Sequence, residues 1–304
     1  MSHDRVDEFL ADIAASPGAL TGLLDAWRPV DIGGRRRFAF VGLGSSRFAA
    51  MLVAAPLRAQ GRDAWVDHAS AAEHIPAADD LVLVAISASG GTREVLEVAE
   101  RHRGRSVVVA VTNEPGSRLA RVADLVVPLL AGQEASGIAC RSFRATVAAV
   151  ALLSGLAQPD ELRPAVAGLA DRIDGAATWL DPMVTALHGA PSVDVIAGAA
   201  TLGLAEQGAL MLREAPRLPA HAWETADWLH TAVYLALPGH RAVLLAGSPA
   251  DAEVVATVER RGGQVVTLTP PDGAGITAAL VTSVVPELIA AGLWQKADAI
   301  DKEP

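Results

Sequence analysis

The 304-residue sequence predicts an α/β fold built on parallel sheets, and three observations support this. Short apolar runs alternate with segments of helical periodicity, which is the pattern of strands and helices in βαβ units. The run at residues 81–86 is apolar throughout, as expected of a strand that is covered on both faces of a parallel sheet. Hydrophobic residues make up 51% of the chain and aromatic residues only 4%, so the core consists mainly of alanine, valine and leucine.

The first half of the chain contains the pattern of one complete α/β domain. Residues 4–27 have apolar side chains at helical spacing, interrupted by the Ser-Pro-Gly break at residues 16–18. Five strands are then predicted, at residues 38–41, 64–66, 81–86, 106–112 and 125–130. The intervening and following helices are predicted at residues 47–59, 92–101 and 142–156.

The pattern begins again in the second half. Strands are predicted at residues 193–197, 242–246 and 264–268, and helices at residues 202–214 and 251–261. Residues 94–109 (EVLEVAERHRGRSVVV) resemble residues 253–268 (EVVATVERRGGQVVTL), so the two halves are related as an internal repeat. We therefore expect an N-terminal helical segment (1–30), a first α/β domain (31–158), a helical connector (159–190) and a second α/β domain (191–304).

Composition limits the possible partners and locations. The formal net charge of -10 disfavours a nucleic-acid-binding surface, since such a surface needs an excess of basic residues. Cys140 is the only cysteine, which rules out an internal disulfide and suits a reducing compartment. The N-terminal residues contain no apolar signal core, and no apolar run is expected to approach the ~20 residues of a membrane span. We therefore predict a cytoplasmic protein that binds neither nucleic acid nor membrane.

The most informative stretch is the turn that follows the strand at residues 81–86. Here Ser87, Ser89 and Thr92 accompany two glycines and lead into a helix. Hydroxyl groups and the free N–H groups of a helix start then meet at the carboxyl end of a strand, which favours binding of an anion, phosphate above all. The alternative is an ordinary strand–helix turn that uses serine and glycine for its conformation.

A second turn of related composition, residues 42–47 (GLGSSR), follows the first strand and opens a helix. This is the context of a dinucleotide fingerprint, with Asp63 and Asp67 at the distance of its acidic residue, but the third glycine is missing. A nucleotide-binding oxidoreductase is therefore the weaker interpretation. We instead expect Ser45 and Ser46 to face the same anion as the first group of hydroxyls.

Several segments together resemble the sugar-isomerase (SIS) domain family, and in particular the isomerase half of glucosamine-6-phosphate synthase. In the first half they are residues 44–46 (GSS), 86–92 (ISASGGT), 111–119 (VTNEPGSRL) and 131–143 (AGQEASGIACRSF). In the second half they are residues 206–214 (EQGALMLRE) and 224–230 (ETADWLH). The resemblance implies two tandem SIS domains, each a parallel sheet flanked by helices in a flavodoxin-like three-layer sandwich.

The resemblance also implies roles for particular residues. In the family, the serine turns hold a sugar phosphate, a glutamate matching Glu214 moves a proton between two sugar carbons, and a histidine matching His230 opens the sugar ring from the neighbouring subunit. A positioned carboxylate and a histidine suit these two steps, and each could instead be an ordinary helix residue. The segment 131–143 implies that Glu134, Gly137 and Ala139 lie in a loop at the substrate. We expect a homodimer, with neither cofactor nor metal.

The sequence also departs from the family pattern. A family lysine in the glutamate helix is replaced by Met211, a neighbouring glutamate by Gln207, and no glutaminase half is present. Lys302 does not match the family's C-terminal lysine, so Schiff-base chemistry on a ketose is disfavoured. We predict an aldose–ketose isomerase, or an amino-sugar-phosphate deaminase or deglycase. Its substrate would be a phosphorylated hexose or amino-hexose. We do not expect the chain to be a glutamine-dependent amidotransferase on its own. The alternative is a catalytically silent sugar-phosphate binder that regulates a partner.

Overall fold

The computed structural model of the chain describes residues 3–271 and 275–300. These residues form two compact units, each with its own parallel sheet. The five-stranded unit comprises residues 18–133 and 141–164. The four-stranded unit comprises the described residues within 1–17, 134–140 and 165–304.

The elements alternate between strands and helices through most of the chain. The strands are β1 (Arg37–Gly42), β2 (Asp63–His68), β3 (Leu81–Ile86), β4 (Val107–Thr112), β5 (Leu125–Pro128), β6 (Val193–Ala197), β7 (Ala220–Glu224), β8 (Arg241–Leu245) and β9 (Gln264–Leu268). The helices are α1 (His3–Ala14), α2 (Ser16–Ala26), α3 (Ser45–Ala59), α4 (Arg93–His102), α5 (Arg118–Val122), α6 (Arg141–Leu153), α7 (Pro159–Asp174), α8 (Ala176–Leu187), α9 (Leu202–Glu214), α10 (Thr225–His230), α11 (Asp251–Arg260), α12 (Gly275–Thr282) and α13 (Val284–Ile300).

The five-stranded sheet has the order β2-β1-β3-β4-β5, and all of its pairs are parallel. Its central strand β3 is buried along its whole length, which explains why its sequence is uniformly apolar. Helices α3 and α6 pack together, with α3 against β1 and β2, while α4 packs against β3. The carboxyl ends of β1 and β3 therefore meet at one edge of the sheet.

The four-stranded sheet repeats this arrangement with the order β7-β6-β8-β9, again with every pair parallel. Helix α9 packs on β6 and β7, and α11 packs on β9. In both sheets the strand order reverses beside the first strand, between β1 and β3 and between β6 and β8. Such switch points are where open parallel sheets bind ligands, at the carboxyl ends of the strands.

The structure confirms an α/β architecture with parallel sheets flanked by helices. The predicted bounds of β3, β6, β9 and α9 agree with those observed. Strand β7 was not predicted, because its sequence, AHAWE, has neither an apolar run nor β-branched residues. It forms because its backbone pairs with β6 along its length, from Val193↔Ala220 to Ala197↔Glu224.

The expectation that no apolar run reaches the length of a membrane span is wrong. Residues Gly275–Ala297 have a mean hydropathy of 1.8 in their most apolar window and are long enough to cross a membrane. Of that window, 89% is buried inside the fold, and α13 packs against α1, α8 and α9. A core helix of a soluble protein has the same length and composition, so this segment is weak evidence for a membrane span.

Candidate functional site

The predicted anion site begins with the serine turn, residues 87–92, between β3 and α4. The Ser87 and Thr92 hydroxyl oxygens lie 2.8 Å apart, within hydrogen-bonding distance. Ser87 is buried, Thr92 is half-buried and Ser89 is exposed, so the turn runs from the sheet edge toward solvent. Thr92 stands at the N-cap of α4 but makes no capping hydrogen bond with its side chain. The first N–H groups of α4 are therefore left available for an external acceptor.

Gly90 fixes the shape of the serine turn. Its φ of +60° lies in the left-handed region, and a Cβ atom at this position would overlap the side chain of Ser117. The turn is also held by the backbone bonds from Gly90 N to Ser87 O (2.9 Å) and from Leu119 N to Gly90 O (3.0 Å). The segment at residues 111–119 is thus the support on which the serine turn rests.

We predict that replacing Gly90 with alanine disrupts this support, whereas replacing Gly91 does not. Alanine at position 90 must adopt a positive φ and displace Ser117, so the variant should lose more than ~1 kcal/mol of unfolding free energy. At position 91 the nearest atom to a new Cβ is the Ser89 hydroxyl oxygen at 3.7 Å, an ordinary contact. Chemical denaturation of both variants measures the difference. Equal stability of the two would show that the turn tolerates a side chain at Gly90.

The second predicted donor pair, Ser45 and Ser46, lies in the first turn of α3, directly after β1. Both residues are half-buried, and the N-cap Gly44 has a φ of +51°. Because β1 and β3 are adjacent and parallel, Ser45 and Ser46 belong to the same sheet edge as the serine turn. Asp63 and Asp67, the acidic residues that a dinucleotide site would use, instead lie beside basic side chains. Asp63 lies 3.5 Å from Arg37 Nε, and Asp67 lies 3.8 Å from His74 Nδ1.

At the corresponding switch point of the four-stranded sheet, a carboxylate of the chain itself binds the loop amides. Asp251 Oδ2 accepts hydrogen bonds from Gly247 N at 2.6 Å and from Ser248 N at 2.8 Å. These are the loop amides that follow β8, as the serine turn follows β3. An internal carboxylate thus already accepts the hydrogen bonds of these two amides.

Glu214 is the last residue of α9, in the four-stranded unit. It ends an otherwise apolar helix, which favours burial, but the residue is exposed. The carboxyl group itself is nevertheless partly desolvated, and this burial raises the pKa of Glu214 above its ordinary value. Arg213 opposes the rise in pKa and the carboxylate of Glu134 adds to it. A raised pKa is typical of carboxylates that act as a general base or acid.

Glu134, Gly137 and Ala139, the predicted substrate-loop residues, lie in the 134–140 segment, which belongs to the four-stranded unit with Glu214. The Glu134 carboxylate accepts a hydrogen bond from Cys140 N at 2.7 Å, and Gly137 has a φ of +75°. The segment is therefore a closed loop tied across its own ends.

Two residues that the sequence analysis did not assign to the site hold this loop. Asp12 on α1 is 4% exposed and accepts hydrogen bonds from Ser136 N (2.9 Å) and Ser136 Oγ (2.8 Å). Gln207 on α9 donates from Nε2 to Ala139 O at 2.8 Å. The sequence does contain a pattern that could have identified Asp12, since it is an acidic residue on the apolar face of α1, three residues after Phe9.

His230 ends α10 and is exposed, in the same unit as Glu214. The two units contain different predicted site residues. Ser45, Ser46 and the serine turn belong to the five-stranded unit, and Glu214, His230 and the 134–140 loop belong to the other.

Among the described residues, no cluster of three or more histidine, cysteine or acidic side chains is suited to hold a metal ion.

The five-stranded region matches a known family. Residues 32–157 match the SIS domain family. Over 213 residues, 64% of this chain, the sequence is 30% identical to the isomerizing glutamine–fructose-6-phosphate aminotransferase of Aeropyrum pernix. The match covers 34% of that protein, so the chain spans about a third of the length of this relative.

Solved structures share the fold of almost the whole chain. The C-terminal domain of glucosamine-fructose-6-phosphate aminotransferase from Francisella tularensis superimposes with a TM-score of 0.80 at 18% identity, covering 95% of both chains. Glucosamine-6-phosphate deaminase from Thermotoga maritima superimposes with a TM-score of 0.73 at 17% identity, covering 96% of this chain and 95% of that one. These similarities extend over both sheets.

Proposed function

We propose, on the premise that residues 32–157 form a SIS domain, that this chain is a phosphosugar isomerase. It would interconvert the aldose and ketose forms of a phosphorylated hexose or amino-hexose. The observation that carries the proposal is the serine turn, which offers hydroxyls and uncapped helix amides at the switch point of a parallel sheet. In this proposal Ser45, Ser46, Ser87, Ser89 and Thr92 hold the phosphate.

The proposed chemistry needs a base and a proton shuttle. Glu214 supplies the base, since the deprotonated carboxylate can remove the proton next to the sugar carbonyl. Its raised pKa increases its basicity, and the neighbouring Glu134 belongs to the loop that we expect at the substrate. His230 supplies the shuttle that opens the ring, because imidazole exchanges protons near neutral pH.

The lysines of this sequence favour an enediol route over an imine with the ketose. The only lysines in the sequence are Lys296 and Lys302. Lys296 Nζ lies 3.3 Å from Asp181 Oδ1 and 2.9 Å from Thr185 Oγ1, which ties it to α8, and Lys302 lies outside the described residues. Position 211 holds a fully buried methionine. Proton transfer through an enediol requires no amine, so it remains open to this chain.

We further propose that the four-stranded sheet is a second SIS domain, within the expected bounds 191–304, and that residues 31–158 are the first. The sheet orders β2-β1-β3-β4 and β7-β6-β8-β9 correspond strand by strand. The repeated sequence segments fall on α4–β4 in one sheet and α11–β9 in the other. Two copies of one ancestral unit would produce both correspondences.

Deuterium exchange tests the isomerase proposal. Wild-type protein is incubated in deuterated water with fructose 6-phosphate, glucose 6-phosphate or glucosamine 6-phosphate, and exchange at C1 or C2 is followed by NMR. We expect exchange with at least one sugar phosphate, and no sugar trapped on the protein by borohydride. Release of ammonia from glucosamine 6-phosphate would assign the deaminase function instead. Tight binding with no exchange and no ammonia would assign the regulatory binder.

We also propose that the protein is a homodimer in which His230 completes the site of the partner. Directly after His230 the surface is apolar, with Tyr234, Leu235 and Leu237 exposed to 73%, 68% and 62%. Exposed apolar groups this close together are typical of an interface. A second copy packed on them would bring the neighbouring His230 to that interface.

Mixing two inactive variants tests this assembly. His230→Ala and Glu214→Ala should each abolish exchange, and refolding them together should restore part of it. A mixed dimer has one site in which both residues are intact if His230 acts across the interface. Native mass spectrometry verifies that mixed dimers form. Mixed dimers without activity would place both residues in the site of a single subunit.

A further inference from the structure

A buried carboxylate interrupts the core of the four-stranded unit. Strand β6 is buried throughout, and Asp194 is its only polar residue, with 6% of its surface exposed. Burying a carboxylate costs several kcal/mol unless partners replace its water. The contacts of Asp194 must therefore offset this cost.

Two tryptophans and two histidines surround this carboxylate, the more distant histidine being His221, whose Nδ1 lies 3.8 Å from Asp194 Oδ1. Trp228 Nε1 donates to Asp194 Oδ2 at 2.8 Å, and Trp223 Nε1 donates to Oδ1 at 3.1 Å. His240 Nε2 lies 3.3 Å from Oδ2. Burial opposes ionisation, but these groups outweigh it and hold the pKa of Asp194 below its ordinary value. The carboxylate is thus an ionised acceptor that two indoles share.

The two indoles belong to different kinds of element. Trp223 lies on β7, whose place the sheet already fixes through its pairing with β6. Trp228 lies on α10, a six-residue helix, and a helix this short has little stability of its own. Glu224 caps α10 at its start, and Trp228, which is 0% exposed, anchors its middle. His230, two residues after Trp228, ends the helix.

We propose that Asp194 is a positioning residue that fixes α10, and with it His230, through the hydrogen bond to Trp228. The catalytic part of this inference rests on the proposed function, in which His230 opens the sugar ring. Loss of the bond should leave the sheet in place and let the short helix move. The consequence should fall on ring opening rather than on phosphate binding or on proton transfer by Glu214.

The two tryptophans provide a matched pair of variants. Trp228→Phe and Trp223→Phe each remove one N–H donor from the same carboxylate and keep an aromatic ring. We expect hydrogen–deuterium exchange of the α10 amides to accelerate at least tenfold in Trp228→Phe and to change less than twofold in Trp223→Phe. Equal protection of α10 in both variants and wild type would overturn the inference, whatever the activity of the protein. Equal acceleration of α10 amide exchange in the two variants would also overturn the inference.

Kinetics then test the link to His230. For solvent-hydrogen exchange on fructose 6-phosphate, Trp228→Phe should lower kcat about tenfold with KM changed less than twofold. On 5-deoxyfructose 6-phosphate, which cannot close its ring, Trp228→Phe should match wild type, as should Trp223→Phe on both substrates. Equal losses on the two substrates would overturn the link to ring opening. If wild type exchanges no sugar phosphate at all, the isomerase proposal and the catalytic link fail together, and the amide exchange alone decides whether Asp194 fixes α10.

Discussion

Replacing Glu214 with glutamine should abolish solvent-hydrogen exchange on the sugar phosphate while leaving its binding nearly unchanged. Glutamine keeps the shape of the side chain at the end of α9 but cannot accept the proton from carbon. A positioned general base contributes roughly 10²–10⁴-fold to the rate, so the variant should lose at least that lower factor. NMR in deuterated water measures exchange, and calorimetry measures binding.

The pH dependence of the wild-type reaction provides a second check on Glu214. The base must be deprotonated to act, and burial raises its pKa. The rate should therefore fall on the acidic side at a pH above the ordinary titration range of glutamate. Glu206→Gln, on the same helix, is the control and should keep both the rate and its acidic limb. An unchanged exchange rate in Glu214→Gln would remove this residue from the mechanism.

Replacing Ser87 or Ser89 with alanine should weaken binding of the phosphorylated sugar by about tenfold to a hundredfold. Each change removes a donor to a charged group, worth about 1.5–3 kcal/mol, and 1.4 kcal/mol corresponds to a factor of ten in Kd. Ser87 should show the larger effect, since its hydroxyl is buried and held within 2.8 Å of Thr92 Oγ1. Calorimetric titration with phosphorylated and unphosphorylated sugar measures the difference.

Ser248→Ala is the matched control for the serine variants. Ser248 is the third residue after β8, as Ser89 is the third residue after β3, but its loop amides are bonded to Asp251. Its replacement should leave binding of the phosphorylated sugar unchanged. Binding of the unphosphorylated sugar should barely respond to any of these substitutions. A similar loss for both sugars in Ser87→Ala would show that this hydroxyl does not contact the phosphate.

Local patterns were sufficient for much of the fold. Strands β3 and β6 are continuous apolar runs, and α9 shows helical spacing, so their bounds could be read directly from the sequence. The serine turn could be predicted as well, because a hydroxyl- and glycine-rich segment between a buried strand and a helix has few other conformations. Strand β7 could not, because its conformation comes from pairing with β6 and not from its own residues.

The candidate site, too, could be predicted from the sequence only in part. The sequence by itself indicated which residue types can hold a phosphate or move a proton, and Ser87, Glu214 and His230 are the residues proposed for these roles. The tertiary structure alone decided which residues hold the neighbouring segments: Asp12 and Gln207 bind the 134–140 loop, and Asp194 binds Trp228 on α10. These bonds join residues 34 to 124 positions apart. Contacts at such separation depend on how the chain packs, and no local pattern records them.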